Sequence, residues 1–211
     1  MKRILYLLLL SGLINSLLAQ NTVFNKYFEA ITSVTCLPVE DGYFIAGQDV
    51  VLNNDNTISK HIYVRKTDFN GNTLWINYLD TGPEVRQITT GNSLIKTQDG
   101  HYALVGNRAK DIEGIDADFI FIKFTEYGQV LWKQTYGTTQ EEKCYGIIET
   151  SDNGYFLYGY QYSGVTPSEF YCIKTNSLGV EEWSNTYSLE GSSVAFSAHE
   201  TADNGYIISG Y

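Results

Sequence analysis

Short apolar runs alternate with turn residues along almost the whole chain. The runs are about five or six residues long, which is the length of ordinary β-strands. Several are apolar at nearly every position, as in "YFIAG" (Tyr43–Gly47), a pattern typical of strands covered on both faces. No segment keeps a 3.6-residue periodicity, so the pattern predicts many short strands and few helices.

The runs recur with a period of about fifty residues. Each repeat has four of them, which resemble in order YGIIET, GYFIAG, IYVRK and TLWINY. Four antiparallel strands in a repeat of this length are the pattern of a β-propeller blade. One tyrosine marks the second run of each repeat: Tyr43, Tyr102, Tyr155 and Tyr206.

We therefore predict an all-β fold, a β-propeller of four-stranded antiparallel blades. Residues 20–29 contain "TVFNKYF", which aligns with "TLWINYL" of the first repeat and places Phe24 on Trp75. We expect this segment to be an outermost strand that closes the ring. The last repeat stops after its second run, so we expect a truncated piece of a longer propeller. The predicted blades span about 30–79, about 85–137, about 143–188 and, as a first half, about 193–211.

The first 19 residues have the order of a secretory signal peptide. Lys2 and Arg3 precede an apolar run, Ile4–Leu10, and a less hydrophobic stretch ends at Ala19. The run is shorter than the about 20 apolar residues of a membrane span. We expect cleavage after Ala19 and a secreted or outer-surface protein with no membrane span after cleavage. An uncleaved anchor is the alternative.

The charge balance argues against one class of partner. The chain has 24 acidic and 14 basic residues, a net charge of −10. Such a surface repels phosphate backbones, so we expect no nucleic-acid partner.

A glycine precedes a tryptophan by four residues in three of the repeats. The first example, "DFNGNTLW", begins with the segment Asp68–Asn72, which could be read as a partial calcium loop. Its counterparts keep the glycine but lose most of the oxygen ligands. The spacing therefore favours a hairpin turn with glycine at positive φ.

The repeat motifs resemble a known group of proteins. "TSDNGYFLYGY" (Thr150–Tyr160), "IKTNSLGVEEW" (Ile173–Trp183) and the pair Tyr136-Gly137 resemble secreted repeat proteins of Bacteroidota. Those proteins are commonly exported by the type IX system and carry a C-terminal sorting domain. The resemblance implies extracellular or surface placement and a propeller, and little about chemistry.

The glycine-to-tryptophan spacing also resembles the tryptophan-docking motif of quinoprotein-like propellers. The resemblance implies that each tryptophan docks onto a neighbouring blade near a glycine. It does not bring the quinone chemistry, because the sequence has no calcium-and-quinone residue set. The implied structural docking residues are Gly71, Trp75, Gly128, Trp132, Gly179 and Trp183, with Phe24 in the equivalent position at the N-terminus.

Candidate reactive side chains are scattered. "KDIEGIDAD" (Lys110–Asp118) is either a cation loop or, as we favour, a solvated acidic connection. Cys144 and Cys172 fall in the first and third strands of one blade, about 9.6 Å apart. That exceeds the roughly 7 Å limit for a disulfide, so we predict that they are unbridged. We predict no catalytic residues, no metal site and no cofactor. The three histidines occupy different repeat positions, so nothing in the sequence gathers them into a metal site: His61, His101 and His199.

The connections after the second strands vary in length over a constant scaffold, and we expect binding specificity there. The leading hypothesis is a non-enzymatic exported propeller, a binding, adhesion or scaffold module at the cell surface. Its partner would be an extracellular polysaccharide or protein. The alternative is the propeller domain of a secreted glycan-active or other hydrolytic enzyme with its catalytic part elsewhere. The variable connections are Gln48–His61, Asn107–Ala117 and Gln161–Ser168.

Overall fold

A computed structural model describes most of the chain after the predicted signal peptide. The described residues are 31–52, 54, 58–81, 85–88, 92–109, 116–165, 167–188 and 190–211. The predicted signal peptide and closing strand, with Phe24, lie outside them. All regular secondary structure in the described part is β-strand, which confirms the all-β prediction. Among these residues, none belongs to a helix with the length and apolar character that a membrane crossing requires.

The strands form consecutive antiparallel units, which we number in chain order. Unit 1 consists of β1 (Ile31–Val39), β2 (Gly42–Leu52), β3 (Ile58–Thr67) and β4 (Thr73–Asp80). Unit 2 consists of β5 (Val85–Gln87), β6 (Leu94–Lys96), β7 (Tyr102–Ala109), β8 (Ala117–Phe124) and β9 (Val130–Tyr136). Unit 3 consists of β10 (Glu141–Glu149), β11 (Tyr155–Tyr162), β12 (Glu169–Thr175) and β13 (Glu181–Tyr187). Unit 4 consists of β14 (Ala195–Glu200) and β15 (Tyr206–Gly210).

Unit 2 differs from the predicted design in its first strand. The sequence predicts this strand only around Asn92–Thr97, whereas the structure divides it between β5 and β6, which both pair with β7. One parallel pair, Lys60 with Val85, also joins β3 to β5, so units 1 and 2 share one sheet. The pattern missed β5 because "VRQ" is a three-residue run with a single apolar position.

The segment Gln48–His61 is mostly strand and not the variable loop predicted from the sequence. β2 and β3 continue to the pair Leu52–Ile58, so their hairpin projects beyond the equivalent hairpins of units 2 and 3. The residues responsible, Val50 to Leu52, are β-branched or aliphatic and favour extended backbone.

The two ends of the units differ in their connections. Because successive strands are antiparallel, the turns β1–β2 and β3–β4 lie at one end, which we call the turn end. The β2–β3 hairpin and the links between units lie at the other, the connection end. Regular short turns repeat at the turn end in units 1 to 3, whereas the connection end carries segments of unequal length.

The apolar core lies between units and not within any one of them. We call these contacts seams and number them in chain order. Phe44 and Val64 of unit 1 pack with Leu104 and Ile122 of unit 2 in the first seam. The second seam joins units 2 and 3 in the same way, and the third joins units 3 and 4. Each sheet therefore depends on its neighbours for burial of its faces.

The cysteines lie in the strands that the sequence predicted. β11 separates Cys144 on β10 from Cys172 on β12, and none of the three cysteines forms a disulfide. Burial raises the pKa of Cys172 to about 12 and also raises that of Cys144. The buried pair is therefore unreactive at neutral pH.

Candidate functional site

The β3–β4 turn of unit 1 explains the segment that resembles a calcium loop. The Asp68 carboxylate accepts the backbone N–H groups of Asn70 and Asn72 at 2.9 and 2.8 Å. Thr125 Oγ1 and Asn176 Oδ1 accept the equivalent N–H groups in units 2 and 3. A side-chain oxygen is therefore needed to close the turn, and Asp, Thr and Asn all supply it. The turn glycines Gly71, Gly128 and Gly179 have φ of 75°, 72° and 73°, as the hairpin interpretation predicts.

The turns of units 2 and 3 each lie against the tryptophan of the unit before. A Cβ added to Gly128 would lie 2.8 Å from Cζ3 of Trp75, across the first seam. One added to Gly179 would lie 2.7 Å from Cζ3 of Trp132, across the second seam. Both distances are shorter than real Cβ atoms show, so any side chain here would displace the indole.

Polar contacts accompany the two tryptophan contacts. Asn77, two residues after the first tryptophan, donates its amide to the Tyr127 carbonyl at 2.7 Å. Tyr136 donates its hydroxyl to the Gly179 carbonyl at 2.5 Å. The outer strand of one unit is thus bonded to the turn of the next by side-chain donors.

Two of the predicted docking residues have no such pairing in the described part of the chain. Gly71 lies in the turn of unit 1, and Phe24, the predicted equivalent of the tryptophans, lies outside the described residues. Trp183 lies beside Phe156 and Tyr206 in the third seam, with ring centroids about 6 Å away.

A second repeated contact places a lysine inside each of units 1 to 3. Lys66, Lys123 and Lys174 are only 7 %, 2 % and 4 % exposed. A buried ammonium needs an opposite charge, because desolvation without one is costly. Each lysine meets that need with an aspartate from the first turn of its own unit: Asp41, Asp99 and Asp152, respectively.

The sequence pattern did not predict these ion pairs. The signal is present, since the third run of units 1 to 3 carries a lysine at a constant distance from the tryptophan, and an aspartate stands two or three residues before the repeat tyrosine. The nearly all-apolar character of the runs conceals the lysine. The hydrogen bond from Lys174 lowers the pKa of Asp152 to about 2, with a bond from Thr150 also contributing.

A third repeated contact lies where the inner strand of one unit meets the first turn of the unit before. Glu149 accepts the backbone N–H of Gln98 at 2.8 Å, and Glu200 accepts that of Ser151 at 2.7 Å. Lys96 takes the equivalent position in the first seam and lies 3.6 Å from Glu40. The first seam therefore has a side-chain ion pair where the other two have a carboxylate on the backbone.

The seams differ in how their repeat tyrosine is held. In the second seam, Lys123 donates to the Tyr155 hydroxyl at 2.5 Å. The small Ala103 leaves room for this approach. Phe44 takes the place of Ala103 in the first seam and packs edge-on against Tyr102 at 4.6 Å. There the Lys66 ammonium lies over the Phe44 ring instead, 4.8 Å from its centroid.

A cavity of about 410 Å³ opens at the turn end of the first seam. Its size is within the range of small-molecule sites. It combines aromatic rings with charged groups from two turns and two strands. Its lining includes Glu40, Asp41, Lys66, Trp75, Lys96, Tyr102, Glu126 and Tyr127.

A second cavity, of about 300 Å³, lies in the third seam beside Trp183. Its lining is largely apolar and includes Phe156 and Tyr206, whose rings stack 4.1 Å apart. It has no charged side chain in its wall and offers little chemistry for polar recognition.

The other predicted candidates are not gathered into a site. Of the acidic residues in Lys110–Asp118, only Asp116 and Asp118 are described. No group of three or more His, Cys, Asp or Glu side chains in the described ranges is placed to hold a metal ion. Glu142 is a buried carboxylate held by Thr138 and Gln161, and burial raises its pKa.

Neither a scan of protein-family models nor a search of curated proteins finds a match to this chain.

We predict that Gly179→Ala destabilises the protein more than Gly164→Ala. Both glycines have positive φ, 73° and 80°, so both substitutions carry a backbone strain of about 1–2 kcal/mol. Only at Gly179 does the new methyl meet an indole, which adds about 1–3 kcal/mol of overpacking. Chemical denaturation of the two variants measures the difference. Equal losses would show that Trp132 does not press on this turn.

We also predict that Asp152→Asn weakens the pH dependence of stability between pH 4 and pH 2. Asp152 has a lowered pKa, so its contribution is complete above its ordinary value of 3.8 and is lost as the pH falls to about 2. The side chain is 57 % exposed, so we expect at most about 1 kcal/mol after solvent screening.

The control for that experiment is Asp203→Asn. Asp203 has the same bonds to a threonine and a glycine of its turn, but no lysine partner among the described residues. The Asp152 variant should lose more of the acid dependence than the Asp203 variant. Identical pH profiles would contradict a stabilising Lys174–Asp152 pair.

Proposed function

We propose that this chain forms an exported β-propeller that acts as a binding module at the outer cell surface. The unit-to-unit contacts support the propeller form. The tryptophan-on-glycine contact recurs in two consecutive seams, and so does the bond from an inner-strand glutamate to the preceding turn. Equal contacts imply equal rotations between units, and equal rotations are what a closed ring of blades requires.

The cavity in the first seam is the observation that carries the binding role. The scaffold of the three seams is repeated, but several of the residues that line this cavity are not. Glu126 and Tyr127 stand where the next unit has Ser177 and Leu178, and Lys96 stands where it has Glu149. A repeat that only builds a ring has no need of these differences, whereas a binding site does.

The location of the cavity differs from the expectation of binding at the variable connections. It lies at the turn end, on the side of the sheets opposite to those connections. The signal-like first 19 residues and the net charge of −10 support placement outside the cell, where an acidic surface aids solubility.

We predict that the mature chain, beginning at Gln20, sediments saturably with cell-envelope material of the organism that expresses it. Binding should be lost after periodate oxidation of the envelope if the partner is a polysaccharide, and after protease treatment if it is a protein. Labelled chain would be mixed with increasing envelope and the unbound fraction measured. Absent or non-saturable sedimentation would contradict the proposed function.

A further inference from the structure

The charges around the cavity of the first seam are largely compensated within the protein. Lys66 is paired with Asp41, and Lys96 with Glu40. The remaining carboxylate, Glu126, accepts a hydrogen bond from Tyr127 and thereby raises the pKa of that phenol. No ammonium among these groups is left to bind an anion, and each carboxylate already has a partner.

Compensated ions still have hydrogen-bonding capacity to offer. Each carboxylate has about four acceptor positions and each ammonium three donors, so one internal bond leaves several open. A ligand that both donates and accepts, and that carries no net charge, matches such a wall best. Hydroxyl groups have this property.

The cavity also presents aromatic rings to the same space. Trp75 is half-buried in its wall, Tyr102 is buried beside it, and Tyr127 is 66 % exposed at the rim. The faces of such rings are electronegative and attract the weakly positive C–H groups of a ring that packs on them. A pyranose offers both a face of C–H groups and a rim of hydroxyls.

The second seam provides an internal comparison. There, Lys123 donates a hydrogen bond to Tyr155, whereas in the first seam Tyr102 packs against Phe44. The β12–β13 turn of unit 3, which corresponds to the β8–β9 turn of unit 2, carries Ser177 and Leu178 in place of Glu126 and Tyr127. The tryptophan, the tyrosine and the lysine–aspartate pair recur in the second seam, so the features that distinguish the first seam from it are Glu126, Tyr127 and the Lys96–Glu40 pair.

We propose that the cavity of the first seam binds a neutral hexopyranose unit of a surface polysaccharide. This inference rests on the proposed function and specifies its ligand. Trp75 and Tyr127 would pack on the sugar face, and the Glu126 and Asp41 carboxylates would accept its hydroxyls.

The test is a titration of the mature chain with neutral sugars, in which binding is measured by ligand-observed NMR. The sugars are the methyl glycosides of glucose, galactose and mannose, and N-acetylglucosamine. We expect at least one to bind with a dissociation constant on the order of 1 mM, and tighter than glucosamine or glucuronate. Tyr127→Ala and Glu126→Gln should each weaken that binding by about tenfold. Leu178→Ala should leave it unchanged, since Leu178 is 65 % exposed at the same turn position of the next unit.

Three results would overturn the inference: no neutral sugar binds, a charged sugar binds more tightly, or Tyr127→Ala binds as well as the parent. The proposed function fails separately, because it requires envelope binding of any kind. Envelope binding that survives periodate and is lost with protease would retain the proposed surface role. It would contradict the proposal that a surface polysaccharide is the ligand of this cavity.

Discussion

Burial of sheet faces against neighbouring sheets is the constraint on which the rest of this structure depends. Each unit is a single layer of strands, too thin to have a large core of its own, and large apolar residues such as Phe44 and Leu157 are buried in the seams. The repeated polar contacts follow from this arrangement. A lysine that is buried in this arrangement needs an aspartate partner, and the turn residue that contacts an indole must be glycine.

The sequence predicted the strands well because their pattern reports burial directly. The tyrosine motif located the second strand of every unit, and the glycine spacing located the β3–β4 turns and their positive φ. The three-residue β5 escaped prediction, because its partners on β3 and β7 are distant in the chain. The long hairpin that ends with the pair Leu52–Ile58 escaped prediction because its sequence mixes strand-forming residues with polar residues typical of loops. The seam cavity was also unpredictable, since residues from three separate turns form it.

The same scaffold supports different chemistry in successive seams through single substitutions. Tyr155 accepts a hydrogen bond from Lys123 beside the small Ala103, whereas Tyr102 packs edge-on against Phe44, which takes the place of Ala103 in the first seam. Differences between successive seams therefore do not require long loops.

The seams make the units one cooperative structure. Urea unfolding monitored by both circular dichroism and tryptophan fluorescence tests this cooperativity, because the three tryptophans lie in the seams and the dichroism reports all the strands. One transition with the same midpoint for both signals is expected, since the unfolding of one unit exposes the apolar faces that its neighbours bury against it. Separate transitions with different midpoints would contradict it.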